Sequence, residues 1–348
     1  MEAISHNALT DKKYYCNSTI DLLKLFGSFM IFTMHINAFG DYQPLGYIWE
    51  YVTRWAVPFF FITSSFFLFS KGNDGNICLQ DLQKYCKRIG LLYLLWFIYN
   101  LPSVFYSRLY SQGLNSIKTW LFFLKSALFS STFTGSWYLL SCVFSAVLIY
   151  YLSKRIKTLT CIVLFIPVQF LCFFSSVYYG IIPTQFGEFL HWCSFPLNIF
   201  GGVFYFALGK LLCEKQHFFW RISREVCFLL SGAFIVLFVL EIVVSRKVGY
   251  YYSSDQGVVL PFLSFFLVLG CLKTNLELRN TVLLRKISTI VYCGQGNVLL
   301  GAAFVCRFIG VQSSILKYLF GLIMISGVVV VVLFLQKKTS IRVFKYLT

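Results

Sequence analysis

Long apolar runs separated by short polar, mostly basic segments set the pattern of this chain. Runs of about 20 mainly apolar residues, enough helix to cross a ~30 Å hydrocarbon core, recur near residues 18–38, 48–70, 87–107, 134–152, 158–178, 192–212, 226–245, 256–272, 287–306 and 315–336. The pattern predicts an all-α fold: a polytopic integral membrane helix bundle of about ten transmembrane helices. The stretch 115–130, "NSIKTWLFFLKSALFS", has a shorter apolar extent broken by Lys118 and Lys125, which predicts an amphipathic helix lying in the interface. The expected organisation is a polar N-terminal tail over 1–17, one membrane domain over 18–336 and a short C-terminal tail over 337–348. No internal repeat of the inverted-transporter kind stands out.

Composition sharpens this picture. The chain is 58% hydrophobic and 12% charged, against roughly 45–50% and ~25% in soluble domains. Its 40 Phe, 22 Tyr and 7 Trp suit lipid-facing helices with aromatic residues at the interfaces. The first 17 residues are polar and of mixed charge, and no small-residue cleavage site follows the first apolar run, so no removable signal peptide is expected. A net charge of +17 would point to nucleic acid if the basic residues shared one patch. They are strung between the apolar runs instead, so membrane lipid is the expected partner and nucleic acid is not. With the N-terminus inside, 22 of the 30 Lys and Arg fall on the cytoplasmic side, as the retention of positive loops requires. An even number of spans then returns both termini to the cytoplasm, and the expected location is the cell inner membrane. The 12 Cys are dispersed without a CxxC pair, and the four His and scattered acids form no metal pattern. Neither a metal nor a bound cofactor is expected.

Ionisable groups within a bilayer cost roughly 2.5–3.5 kcal/mol each and commonly mark a pathway or a site. In "DLLKLFGSFMIFTMH", Asp21, Lys24, Ser28 and His35 fall within roughly 60° of one another on a helix. His35 stands about 21 Å along the axis from Asp21, deep enough to act as a general base or a nucleophile. Lys24 and Asp21 read either as a snorkelling Lys beside an acid or as the lining of a cavity. Arg54, near the start of the second run, reads either as an anchor paired with Glu50 or as a group that holds a ligand or orients His35. Lys84, Lys87 and Arg88 open the third run, either as a topology signal or as a phosphate-binding mouth. Trp137 and Tyr138, within "GSWYLL", belong to the interfacial belt or stack on a sugar ring. "GQGNVLLG" at 294–301 lacks the preceding strand and the spacing of a dinucleotide fingerprint.

Taken in order, "LLKLFGSFMIFTMH", "RWAVPFFFITSSFFLF", the basic entry to the third run, "WYL" and "LRKISTIVYCGQGNVLL" resemble the landmarks of the membrane acyltransferase-3 family over nearly the whole chain. The resemblance implies about ten membrane helices and transfer of an acyl group, often acetyl from acetyl-CoA, to hydroxyls of cell-surface glycans or their lipid-linked precursors. It places the family's essential first-span histidine on His35 and the basic residue eleven places earlier on Lys24, where Arg is usual. The basic pair of the third span falls around Lys84, Lys87 and Arg88, with Tyr85 or a Lys replacing one Arg. Ser64-Ser65 stands for the usual Ser-Gly, and Gln295 stands three places after Tyr292 where many members have His. On this reading His35, Lys24 and Arg54 serve the chemistry, Lys84, Lys87 and Arg88 bind acyl-CoA, and Trp137, Tyr138 and Gln295 bind the acceptor. Acyl-CoA is then a co-substrate, presented to His35 through a tunnel lined by the polar stripe. Two other readings compete: a glycan or lipid transporter or flippase without chemistry, and an inactive family member that serves as an assembly partner.

Overall fold

The protein is described by a computed structural model covering residues 17–111, 113, 116–274, 276–338 and 346–348. The expected N-terminal tail before Asn17 and most of the expected C-terminal tail lie outside the described residues. Among those described the fold is all-helical, with one isolated bridge between Asn73 and Asn76.

The helices are α1 (Ser18–His35), α2 (Gln43–Thr53), α3 (Ala56–Phe69), α4 (Leu79–Tyr99), α5 (Leu101–Val104), α6 (Ile117–Phe129), α7 (Trp137–Leu152), α8 (Thr158–Phe174), α9 (Thr184–Trp192), α10 (Val203–Glu214), α11 (Gln216–Phe219), α12 (Arg224–Val248), α13 (Leu260–Lys273), α14 (Thr281–Phe308) and α15 (Ser314–Lys338). The main packing pairs are α1 with α14, α12 with α13, α3 with α10 and α14 with α15. The core is built from α1, α3, α7, α10, α13 and the middle of α14. In α12 and α15 only 22% and 17% of the most apolar stretch is buried, against 72% in the α2–α3 span, so α12 and α15 are the lipid-facing rim.

Every apolar run but that at 192–212 is helical at its centre, but the count of about ten full spans is not confirmed. Among the described residues four segments are long and apolar enough to cross a membrane: Gln43–Phe69, Arg224–Val248, Thr281–Phe308 and Ser314–Lys338; a bent pair makes five. α7, α8 and α13 are apolar but have only 16, 17 and 14 residues, and a helix of 14 residues is about 21 Å long. The sixth run is not one helix. After α9 the chain turns through Ser194 at positive φ, Pro196 and Gly201-Gly202 before α10 begins at Val203. The stretch expected as an interfacial helix is helical, as α6, with Ile117, Leu121, Leu124 and Leu128 exposed.

Local chemistry explains the helix ends that shape the site. Asn17 caps α1, its Oδ1 accepting from Ile20 N at 2.9 Å, while its Nδ2 donates to Cys271 O and Thr274 O at 3.2 Å. That ties the start of α1 to the end of α13. The third run begins earlier than expected, at Leu79, and turns by 69° between Tyr99 and Leu101, just before Pro102. Proline cannot donate and breaks the ladder, and in a membrane the freed groups need partners. Asn297 of α14 supplies them: Oδ1 accepts from Ser103 N at 3.1 Å and Nδ2 donates to Tyr99 O. Asn100 donates to Cys293 O at 3.0 Å. A Cβ on Gly296 would stand 2.5 Å from Asn100 Oδ1, so the bend can press against α14 only because residue 296 has no side chain.

Candidate functional site

α1 crosses the core with its polar residues distributed between two cavities. At one end Asp21 and Lys24 face a cavity of about 360 Å3 that also receives Lys71 from the end of α3, Tyr85 and Arg88 from α4, and Arg285 from α14. Asp21, only 3% exposed, accepts from Arg285 Nε at 3.1 Å and Nη2 at 2.8 Å. Lys24 Nζ stands 5.6 Å from the centre of the Phe67 ring, and its backbone carbonyl accepts from Ser288 Oγ at 2.9 Å. Lys24, Lys71 and Arg88 make no ion pair among the described residues, so Asp21 offsets only Arg285 and the side chains leave an excess of three positive charges. Such a concavity concentrates anions.

At the other end His35, the last residue of α1, is exposed to a cavity of about 590 Å3. A second cavity of about 430 Å3 adjoins it and shares Met34, His35, Arg54 and Asp255. The junction of α2 and α3 puts Arg54 in a closed network. Its Nη2 donates to Glu50 at 2.9 Å, its Nη1 to Asp255 at 2.6 Å and its Nε to Ser254 Oγ at 2.8 Å. Ser254 in turn donates to Glu50 at 2.5 Å. Arg54 therefore fastens the second span to the loop before α13, with three of its N–H groups committed.

Three rings stand between the basic cavity and the His35 cavity. Phe60, Tyr138 and Tyr292 pack mutually, with centroids 6.1 Å (Phe60–Tyr138), 5.9 Å (Phe60–Tyr292) and 5.6 Å (Tyr138–Tyr292) apart. Tyr292 lines both cavities. Its hydroxyl donates to Gly135 O at 3.0 Å, and that of Tyr138 is 3.0 Å from Ser64 Oγ. A Cβ at Gly135, where φ is +78°, would meet Tyr292 Oη at 3.0 Å. The expected single tunnel is thus two chambers meeting at an aromatic wall.

The residues singled out in the sequence divide accordingly. His35 and Arg54 share the larger cavity with Trp137, while Lys24 and Arg88 share the basic one with Tyr138. Lys84 and Lys87 are exposed on α4 and outside that cavity. Lys84 lies one turn earlier on the same face as Arg88, and Lys87 is turned by about 100°. Gln295 is fully buried, donates to Tyr292 O at 2.8 Å and lines neither cavity. Ser28 is buried and bonds back to Leu25 O at 2.7 Å. Sequence reading missed Lys71, Arg285, Tyr292 and Asp255 as a site; each lies on an element remote in sequence. The "LRK" that opens α14 was the one local signal for Arg285.

These features define a multi-pass membrane protein with paired cavities that meet across its helical core. The chain matches an acyltransferase domain over residues 17–335, and it belongs to the acyltransferase-3 family. It is also 29% identical over 148 residues to an amino-acid racemase of Enterococcus faecalis, covering 39% of this chain and 20% of that protein. A second amino-acid racemase of the same organism is 25% identical over 169 residues, covering 48% of this chain and 23% of its own length. The matched regions are thus a fifth to a quarter of those curated relatives. No solved structure matches.

Proposed function

We propose that this protein transfers an acyl group, acetyl in the first instance, from acyl-CoA to a hydroxyl of a cell-surface polysaccharide or its lipid-linked precursor at the inner membrane. The observation that carries the reading is the succession along α1: an anion-attracting cavity at Lys24, then the aromatic wall, then an imidazole open to a second chamber. Lys24 and His35 are eleven residues apart, about 17 Å along the helix, a span that suits an extended pantetheine arm. CoA phosphates are held by Lys24, Lys71 and Arg88 on the cytoplasmic side, with Arg285 oriented by Asp21. The thioester reaches the His35 cavity past Tyr292.

His35 takes the proton of the acceptor hydroxyl as its oxygen attacks the thioester carbonyl. The tetrahedral intermediate collapses, the C–S bond breaks, and the imidazolium returns its proton to the departing thiolate. In the alternative route the imidazole nitrogen attacks the thioester carbonyl, the C–S bond breaks as an N–acyl bond forms, and the acceptor hydroxyl then displaces the imidazole as the N–acyl bond breaks. Arg54, locked by Glu50 and Asp255, holds the wall of the chamber; Trp137 offers a face to the acceptor. No metal is required in either route.

The test is reconstitution in liposomes with labelled acetyl-CoA and a lipid-linked glycan extract, following CoA release and label transfer for the native chain and His35→Ala. Loss of transfer with retained acyl-CoA binding supports the reading. Absence of CoA release from the native chain, across several donors and acceptors, transfers support to a carrier without chemistry.

A further inference from the structure

The His35 cavity contains two arginines, and their situations are opposite. Arg54 is neutralised by Glu50 and Asp255 at 2.9 and 2.6 Å. Arg108 lines the same cavity and makes no hydrogen bond or ion pair among the described residues. Arg108 is half-buried, and a partly buried guanidinium without a partner is costly unless something anionic completes it. It is carried by the π-helical turn Phe105–Tyr110, in the segment that leaves the direction of α4 by 69°.

That segment is amphipathic in an unusual sense. Leu101, Phe105 and Tyr106 are 44–50% exposed, while Tyr106, Ser107 and Arg108 line the cavity. The next helix, α6, also exposes Ile117, Leu121 and Leu124. Exposed apolar side chains that suit lipid thus flank the turn that brings an uncompensated cation to the cavity.

We propose that Arg108 is an anion-binding subsite of the His35 cavity that takes the phosphoryl group of an amphiphilic ligand entering sideways from the bilayer. The ligand is the acceptor if the acyl-transfer reading holds, and the inference rests on that reading only for the word acceptor. Phosphate oxygens receive the guanidinium N–H groups in the planar two-pronged arrangement that Arg favours, and Ser107 stands beside them. The lipid tail stays among Leu101 and Phe105. The glycan or other headgroup then extends toward His35.

The experiment measures binding of a short fluorescent polyprenyl phosphate to the full chain in phosphatidylcholine nanodiscs. The matched polyprenol and inorganic phosphate serve as comparison and competitor. The native chain is expected to prefer the polyprenyl phosphate over the polyprenol by roughly tenfold or more, as for a charge-assisted contact. Arg108→Gln is expected to abolish that preference with binding of the polyprenol unchanged, and Arg108→Lys to retain part of it, which also guards against a merely misfolded variant. Arg307→Gln, exposed on α14 and outside the cavity, is expected to bind as the native chain does. Displacement of the probe by inorganic phosphate supports a subsite open to soluble phosphates; failure to displace supports a lipid source. A preference that survives Arg108→Gln, or that falls equally in Arg307→Gln, overturns the proposal. A chain that binds the probe through Arg108 yet never releases CoA overturns the acyl-transfer reading and leaves this one standing.

Discussion

Replacing Arg88 by Gln separates the donor cavity from ordinary surface charge. Arg88 lines the basic cavity with Lys24, Lys71 and Arg285 and has no acidic partner among the described residues, so its removal breaks no ion pair within the fold. What is lost, on the proposed function, is its contact with the donor phosphates. A hydrogen bond to a charged group contributes about 1.5–3 kcal/mol, and each 1.4 kcal/mol is tenfold, so KM for acyl-CoA should rise by roughly 10- to 100-fold with kcat little changed. Lys84→Gln and Lys87→Gln remove the same charge from positions exposed like Arg88 but outside the cavity, where screening limits the effect to about twofold. The assay follows labelled CoA release in proteoliposomes at low and high salt. A thiol reagent is unsuitable because Cys78 is exposed. The gap between Arg88→Gln and native should narrow as salt increases. Equal effects at Arg88, Lys84 and Lys87, or a fall in kcat at unchanged KM, would refute the assignment.

Further outcomes follow from other contacts. Arg285→Gln strands the buried Asp21 carboxylate and should cost about 3–5 kcal/mol, read as a lowered thermal midpoint in detergent; adding Asp21→Asn should recover part of it. Gly209 lets α10 approach α3 so closely that a Cβ would lie 2.3 Å from Ile62 O; Gly209→Ala should destabilise by about 1–3 kcal/mol, whereas Gly232→Ala, with open space around it, should be neutral or stabilising by up to ~1 kcal/mol. Asp41, outside the spans, accepts from Ser314 N at 2.7 Å, and those bonds to Ser314 hold its carboxyl below the usual range. Its contribution to stability is present above the unfolded carboxyl pKa of about 3.9 and is lost as pH falls through the lower folded value. Asp41→Asn should remove that part of the acid dependence in a series of melting curves; an unchanged series would count against the contact.

The helical class and the placement of most elements could be read from apolar run length, because the bilayer imposes one length scale on every span. Continuity could not. The run at 192–212 has the hydropathy of a span, yet Pro196 and Gly201-Gly202 divide it, and window averages do not weigh such breakers. The bend after Tyr99 had Pro102 as a local sign, but the compensating partner, Asn297, lies nearly two hundred residues away. The site shows the same division. His35, Lys24 and Asp21 lie on one helix, where periodicity brings them into view. Lys71, Arg88 and Arg285 converge only through packing of α3, α4 and α14, so the sequence pointed to a basic cluster at 84–88 of which the cavity receives Arg88 alone. Arg54 could be read from sequence as paired with Glu50, one turn away, but its second acid, Asp255, lies two hundred residues on.

The wall of Phe60, Tyr138 and Tyr292 has a consequence for the membrane as an insulator. A cell that stores work as an ion gradient cannot keep a water-filled passage open from one face to the other, since each conducted proton would dissipate part of that store. The three rings pack edge to face, and their hydroxyls are turned to Gly135 and Ser64 rather than to each other. On the proposed function, an acyl-bearing arm passes by displacing a ring, so a chemical group would cross where no open water-filled channel is needed.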